Sequence, residues 1–143
     1  MPTNADHHRS WAVDTSVAVA ALDASHVAHR TCREAVRELR PHIAGHAAFE
    51  TLSVLTRMPG TLAIAPTDAL DLIEAVFPDP LWLRVDDASA LFGRLRTIGI
   101  TGGSVYDALV GIAAASNRCR LLSRDLRARR TYELLGVETR YLD

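Results

Sequence analysis

Three carboxylates in this chain stand alone in stretches that carry no other acid and no arginine. Asp14 is the sole acidic or basic residue between Arg9 and Asp23, in WAVDTSVAVAAL. Glu50 is alone between Arg40 and Arg57 apart from two histidines, and Asp107 is alone between Arg96 and Arg118. Acids are almost never fully buried unless paired, and an acid among Val, Leu and Ala must find a partner or stay protonated. No arginine lies within a helical turn of any of the three, so no local salt bridge is on offer. Gathering them around a cation is one solution. A fourth acid, Asp125, follows the apolar run Cys119–Ser123. Four close carboxylates cannot all ionise without a counter-charge. An all-oxygen donor set suits Mg2+ or Mn2+ rather than zinc. Such ions activate water and neutralise the charge that builds on a phosphodiester under attack.

The elements that must position these acids alternate along the chain. Trp11–Asp14 reads as a short buried strand running into a helix, with Thr15 or Ser16 placed to cap it. A helix is expected over His26–Arg40, a weak strand at His42–Ala44, and a helix over His46–Arg57 closed by Pro59-Gly60. Next come a helix over Pro66–Phe77 with Thr67 as cap, a strand at Leu81–Val85 and a helix over Asp87–Ile98. The spacing then predicts a helix over Gly103–Asn117, a strand at Cys119–Ser123, a helix over Leu126–Leu135 and a last strand at Val137–Tyr141. Strands alternating with helices make an α/β domain with a mainly parallel sheet. In such sheets sites form at the carboxyl ends of the strands. Asp14 and Asp125 fall there directly, while Glu50 and Asp107 fall near the starts of helices that leave the sheet, so the four can converge on one cleft.

Each acid also has a plainer reading. Asp14 can cap a helix, Glu50 can pair with Arg57 or an arginine elsewhere, Asp107 can be a buried structural acid, and Asp125 can cap the next helix or pair with a flanking arginine. The pairs His26/His29 and His42/His46 have ligand-like spacing, but polar-face histidines are the commoner case. Gly102-Gly103-Ser104 can cradle an anion at a helix start or simply enter the helix.

Composition narrows the chemistry. The chain has 143 residues, 48% hydrophobic and 23% charged, which suits one globular domain. We expect a polar lead-in over residues 1–10, without the apolar core of a secretory signal, and a single domain over 11–143. No apolar run reaches membrane-spanning length, and two cysteines without metal or redox spacing suit buried thiols in the cytoplasm. All sixteen basic residues are arginine. Without lysine there is no Walker A loop and no Schiff-base chemistry. The net charge of −1 gives no general attraction to nucleic acid. Arg118, Arg120, Arg124, Arg127, Arg129 and Arg130 nevertheless crowd one segment. They form either a solvated face or a rim that contacts phosphates.

The motifs VDTSV (13–17), FETLSVLTR (49–57), YDALV (106–110) and LLSRDLRARRTYELLGV (121–137) together resemble those of PIN-domain ribonucleases of the VapC toxin type, over residues 11–142. The resemblance implies a three-layer α/β/α PIN-like domain with a mainly parallel central sheet. It implies metal-dependent endonucleolytic cleavage of RNA, with Asp14, Glu50, Asp107 and Asp125 as catalytic residues holding one or two Mg2+ or Mn2+. Thr15, Ser16 and Ser123 would support those ligands. Arg118, Arg124, Arg127 and Arg129 would hold the RNA backbone. A cognate antitoxin and homodimerisation follow from the same resemblance. Two rivals stand beside it. A metal-dependent phosphatase of the haloacid-dehalogenase kind needs a second Asp two residues after the first, where this chain has Ser16, and a lysine it lacks. A silent PIN-like module that binds RNA or protein would show broken acids, and all four are intact.

Overall fold

Trp11–Val13 (β1) is buried along its whole length, as expected of a parallel strand covered on both faces. It pairs on one side with His42–Ile43 (β2) and on the other with Arg120–Ser123 (β3). Thr139–Tyr141 (β4) closes the sheet against β3. The order is β2-β1-β3-β4 and every pairing is parallel. These features come from a computed structural model that describes residues 9–59 and 63–143. Most of the lead-in expected over residues 1–10 lies outside the described residues, as does Gly60.

Helices Thr15–Leu22 (α1), His29–Leu39 (α2), His46–Arg57 (α3) and Pro66–Val76 (α4) pack in sequence, α1 on α2 and α3, and α3 on α4. Val85–Arg94 (α5) and Arg129–Leu134 (α7) both pack on Ser104–Ser116 (α6). The result is the three-layer α/β/α arrangement expected, and none of the described helices is long and apolar enough to cross a membrane. The uncharged sequence of α1 buries Val17, Ala18, Ala20, Ala21 and Leu22. α6 buries Ala108, Val110, Gly111, Ala113 and Ala114, as suits a helix apolar on nearly all sides.

Three expectations need correction. Leu81–Val85 is not a strand. Its alternating burial is real, with Leu81 and Leu83 packed inward and Trp82 exposed, but only Leu81 bridges the sheet, to Ala44. Val85 already opens α5, whose first turn carries Asp86 and Asp87, acids favoured at a helix start. The helix expected over Leu126–Leu135 begins as a 3-10 turn at Leu126–Ala128 before α7. Neither proposed cap holds either. Asp14 itself caps α1, accepting from the Val17 amide, and α4 starts after Ala65 with Pro66 in its first position and no side-chain cap.

Two glycines set distances that the site depends on. A Cβ on Gly111 would stand 3.1 Å from both the Tyr132 ring and Val137, so α6 lies directly on Tyr132 only because that position is bare. Gly45 has φ +40°, and a Cβ there would meet the Leu81 carbonyl at 3.0 Å. It turns the chain from β2 into α3, the helix that carries Glu50.

Candidate active site

β1 and β3 lie side by side, and the chain leaves them in opposite directions, β1 toward β2 and β3 toward β4. The crevice at such a reversal is where open α/β sheets place ligands. Asp14 ends β1 there, with its amide bonded to the Leu122 carbonyl at 3.2 Å. A cavity of about 220 Å³ opens at this point, lined by Asp14, Thr15, Ser16, Glu50, Asp107, Val110, Asp125 and Tyr132. All four sequence-nominated acids therefore face one space. A larger cavity of about 340 Å³ lies at the amino end of β2, beside Arg40, His42 and Asp79. It holds one acid, and the concentrated chemistry is in the smaller cavity.

Asp14 is 3% exposed and is the most tightly held of the four. Its Oδ1 accepts from Ser16 Oγ at 2.6 Å and the Val17 amide at 3.2 Å. Its Oδ2 accepts from Ser123 Oγ and, at 3.0 Å, from the Tyr132 hydroxyl. A carboxylate offers about four acceptor positions, and here all are used. Burial pushes the Asp14 carboxyl above its ordinary range, while the Ser123, Ser16, Tyr132 and Val17 donors pull it back. The two serines do a second job. Ser16 Oγ accepts from the Arg124 amide at 2.8 Å and Ser123 Oγ from the Asp125 amide at 3.0 Å. They tie the loop that carries Asp125 to Asp14.

The other acids are looser. Thr15 Oγ1 donates to Glu50 Oε1 at 3.2 Å, and His46 Nε2, one turn before Glu50, stands 4.0 Å from the same oxygen. Asp125 Oδ1 accepts from the Arg127 amide at 3.0 Å and from its Nε at 3.3 Å, so both plainer readings of Asp125, cap and ion pair, coexist with its place in the cavity. Asp107 receives no hydrogen bond among the described residues. Burial first, then Asp125, Glu50 and Asp14, push its carboxyl up to about 6, with Arg127 acting against them. The influence of all three acids on Asp107 is an electrostatic sign that the four share one site.

Tyr132 escaped the sequence reading. It is 1% exposed, and burial and then Asp14 hold its phenol well above the ordinary range, so it can only donate to the carboxylate. Its signal was faint: a Tyr on the apolar side of a short helix, indistinguishable from core. Tyr132→Phe should lower stability by about 1.5–3 kcal/mol, the range for a hydrogen bond to a charged group. Chemical denaturation of parent and variant measures it, and a change below about 0.5 kcal/mol would mean that Asp14 does not need this donor.

The arginines divide. Arg127 stands at the cavity rim on Asp125. Arg129 turns away, its Cζ 4.9 Å from the Tyr141 ring centre and its Nε 3.8 Å from Glu133. Arg124 has a buried Nε without a partner among the described residues and lies near enough to Cys32 to lower its thiol pKa against the dominant effect of burial. Arg118 precedes β3, at the end of the sheet opposite the cavity, and the structure does not bring it to the acids. Three of the four nominated histidines are engaged elsewhere: His29 Nδ1 with the Ala20 carbonyl, His42 Nδ1 with that of Asp79, and His26 Nδ1 with the Ala28 amide; the fourth, His46, stands beside Glu50.

Among the described residues no three His, Cys, Asp or Glu side chains already converge at chelating distance. Mg2+ and Mn2+ keep several waters and take one or two carboxylates directly. The free oxygens of Glu50, Asp107 and Asp125, with only oxygen donors lining the polar part of the cavity, fit that demand.

The PIN domain family matches residues 12–134 of this chain. The protein named Ribonuclease VapC27 from Mycobacterium tuberculosis (strain ATCC 25618 / H37Rv) is 46% identical over 126 residues, covering 88% of this chain and 92% of that protein. Ribonuclease VapC40 from Mycobacterium tuberculosis (strain CDC 1551 / Oshkosh) is 44% identical over 131 residues, covering 89% and 95%. Fold, site position and these relatives agree: the chain belongs to the PIN-domain family, in its VapC ribonuclease branch.

Proposed function

We propose that this chain is a divalent-cation-dependent endoribonuclease, acting in the cytoplasm as the toxin half of a toxin–antitoxin pair. The observation that carries the reading is the single cavity into which Asp14, Glu50, Asp107 and Asp125 all face, with Asp107 held near 6 by burial and the other three. The VapC-named ribonucleases, similar over nearly the whole chain, support RNA as the substrate.

Glu50, Asp107 and Asp125 would hold Mg2+ or Mn2+, with Asp14 anchoring the group from beneath. The bound cation would supply an activated water and a counter-charge for the phosphodiester. The chain's own residues prepare the place. Ser16, Ser123 and Tyr132 fix the Asp14 carboxylate, Thr15 orients Glu50, and the same serines hold the Asp125 loop in register. Such supporting bonds set the aim of the ligands. No nucleophilic side chain is needed. An antitoxin and a second copy of the chain are the protein partners in this reading. Phe49, Trp82 and Tyr106 are exposed next to the acid-bearing positions and offer apolar surface for docking.

The test is incubation of structured RNAs with the protein in EDTA, Mg2+ or Mn2+, beside a generic phosphomonoester. Internal cleavage only with metal, and no phosphate release, is the expected result. Intact RNA at saturating Mn2+ across a varied RNA pool would remove the reading.

Arg127 should contact the RNA backbone and Arg129 should not. Arg127→Ala is expected to reduce the slope of log affinity against log salt by about 0.7, the value of one phosphate contact on a single strand. Arg129→Ala should leave the slope unchanged. Equal slopes in all three proteins, measured by fluorescence anisotropy in EDTA, would return the arginines to the status of a solvated face.

A further inference from the structure

The rings that border the acidic cavity are joined in a row. Tyr106 directly precedes Asp107, and Phe49 directly precedes Glu50. His46 lies between them: its ring centre is 5.2 Å from that of Tyr106 and 6.4 Å from that of Phe49. Trp82 extends the row, 5.6 Å from Phe49. All three separations fall within the roughly 4.5–7 Å of favourable ring pairs. The four rings come from three parts of the chain, α3, α6 and the segment before α5, so the row is a product of the fold. It begins at the site itself, since His46 Nε2 stands 4.0 Å from Glu50 Oε1.

Core packing does not explain the row. Phe49 is 62% exposed, Trp82 53% and Tyr106 52%, and large aromatic side chains left together in solvent mark a binding surface. Two observations choose the occupant. The first is geometry. Tyr106 is stacked on His46 with only 12° between the ring planes, so one face is taken and the ring is held flat, while half of the residue stays open. A planar group laid on the open side continues the stack without having to order the tyrosine. The second is charge. Arg127 borders the cavity at Asp125, where a phosphate is attracted. The aromatic row borders it at Glu50 and Asp107, where a phosphate is repelled and a neutral flat group is not. A strand with charge along one side and flat neutral rings along the other meets both borders at once.

We propose that this row is a base-stacking platform for unpaired nucleotides beside the cut. One base lies on Tyr106, a further base reaches Phe49 and Trp82, and the stacked bases hold the intervening backbone over the four acids. Tyr106 and Trp82 are positioning residues here, and neither exchanges a proton with the substrate. The proposal rests on RNA as the substrate and adds how its bases are gripped.

The test uses short single-stranded RNAs that carry one abasic nucleotide, its position moved along the strand. Binding in EDTA is measured for the parent, Tyr106→Ala, Tyr106→Phe and Trp82→Ala, with cleavage in Mn2+ beside it, and light scattering gives the mass of each protein. Both substituted side chains are more than half exposed, so the variants are expected to fold. In the parent, loss of one base next to the cleavage position should weaken binding about tenfold. Tyr106→Ala should bind intact RNA about tenfold more weakly and lose little more at that same position, because the contact is already gone. Tyr106→Phe keeps a ring and should keep the penalty. Trp82→Ala should abolish the penalty at a different position, farther from the cut. The salt slope should match the parent's in every variant, since no charge is removed. No abasic penalty in the parent, or one as large in both alanine variants, overturns the platform. Alanine variants that halve in mass while the penalties persist show that the rings dock a second copy, and the proposal falls. Cleavage in Mn2+ without coupling overturns the platform and leaves the nuclease reading standing, whereas a parent that binds no RNA overturns both.

Discussion

Asp14→Asn, Glu50→Gln, Asp107→Asn and Asp125→Asn should each lower cation-dependent RNA cleavage by more than about a hundredfold, beyond the ten- to hundredfold that loss of a merely supporting group costs. Pairs of these substitutions should lose little more than the worse single one, because residues that serve one metal site act as a unit. The reason is the shared cavity: each acid lines it, and each of the other three raises the pKa of Asp107. Asp14→Asn carries a second expected effect. An amide has one acceptor oxygen and one NH2, while the Asp14 carboxylate meets donors on both sides, including the Val17 amide, which cannot reverse its role. That variant should therefore also lose stability, and a thermal melt beside the kinetics separates the two effects. Glu50→Gln and Asp125→Asn should melt near the parent in EDTA, and Asp107→Asn no lower than the parent. Near-full activity in two of the four singles would dismantle the quartet.

Mn2+ should raise the parent's melting temperature by about 10 °C at a hundredfold excess over its dissociation constant, since a ligand of the folded state alone then contributes about 2.7 kcal/mol. Asp107→Asn should gain little. Without metal the order changes. The Asp107 carboxyl sits near 6 in the fold, against 3.8 for the free group. Between those values the folded chain holds a proton that the unfolded chain has released. This group's contribution therefore favours the fold below about pH 4 and is lost as pH rises to about 6. An amide mimics the protonated acid at every pH. In EDTA the melting temperature of Asp107→Asn, relative to the parent, should climb between pH 4 and 6 and level off above. A variant clearly less stable than the parent in EDTA at neutral pH would make Asp107 a structural acid. A parent whose melting point ignores saturating Mn2+ would show that the carboxylates form no metal site.

The sequence alone was enough to locate the four acids, because isolation in apolar surroundings is a local property with one physical meaning: a charge that needs a partner. It also determined the parallel α/β layering. Runs such as WAV and RLLS bury on both faces, and the chain between β1 and β2 and between β3 and β4 has helical periodicity. What the tertiary structure decided depends on elements far apart in the chain. Tyr132 reaches Asp14 across 118 residues, through a contact with α6 that Gly111 leaves room for. No local pattern encodes that meeting. The alternating Leu81–Leu83 segment lost its strand because pairing needs a partner edge, and only Ala44 meets it. Six clustered arginines looked alike in one dimension. In space Arg118 falls at the far end of β3, Arg129 lies over Tyr141, and Arg127 bonds Asp125 of the acidic cavity. A helix turns successive side chains by about 100°, and a strand carries its two ends apart by about 3.3 Å per residue. Neighbours in sequence therefore part company wherever the chain is folded, and only the packed structure says which of them see the site.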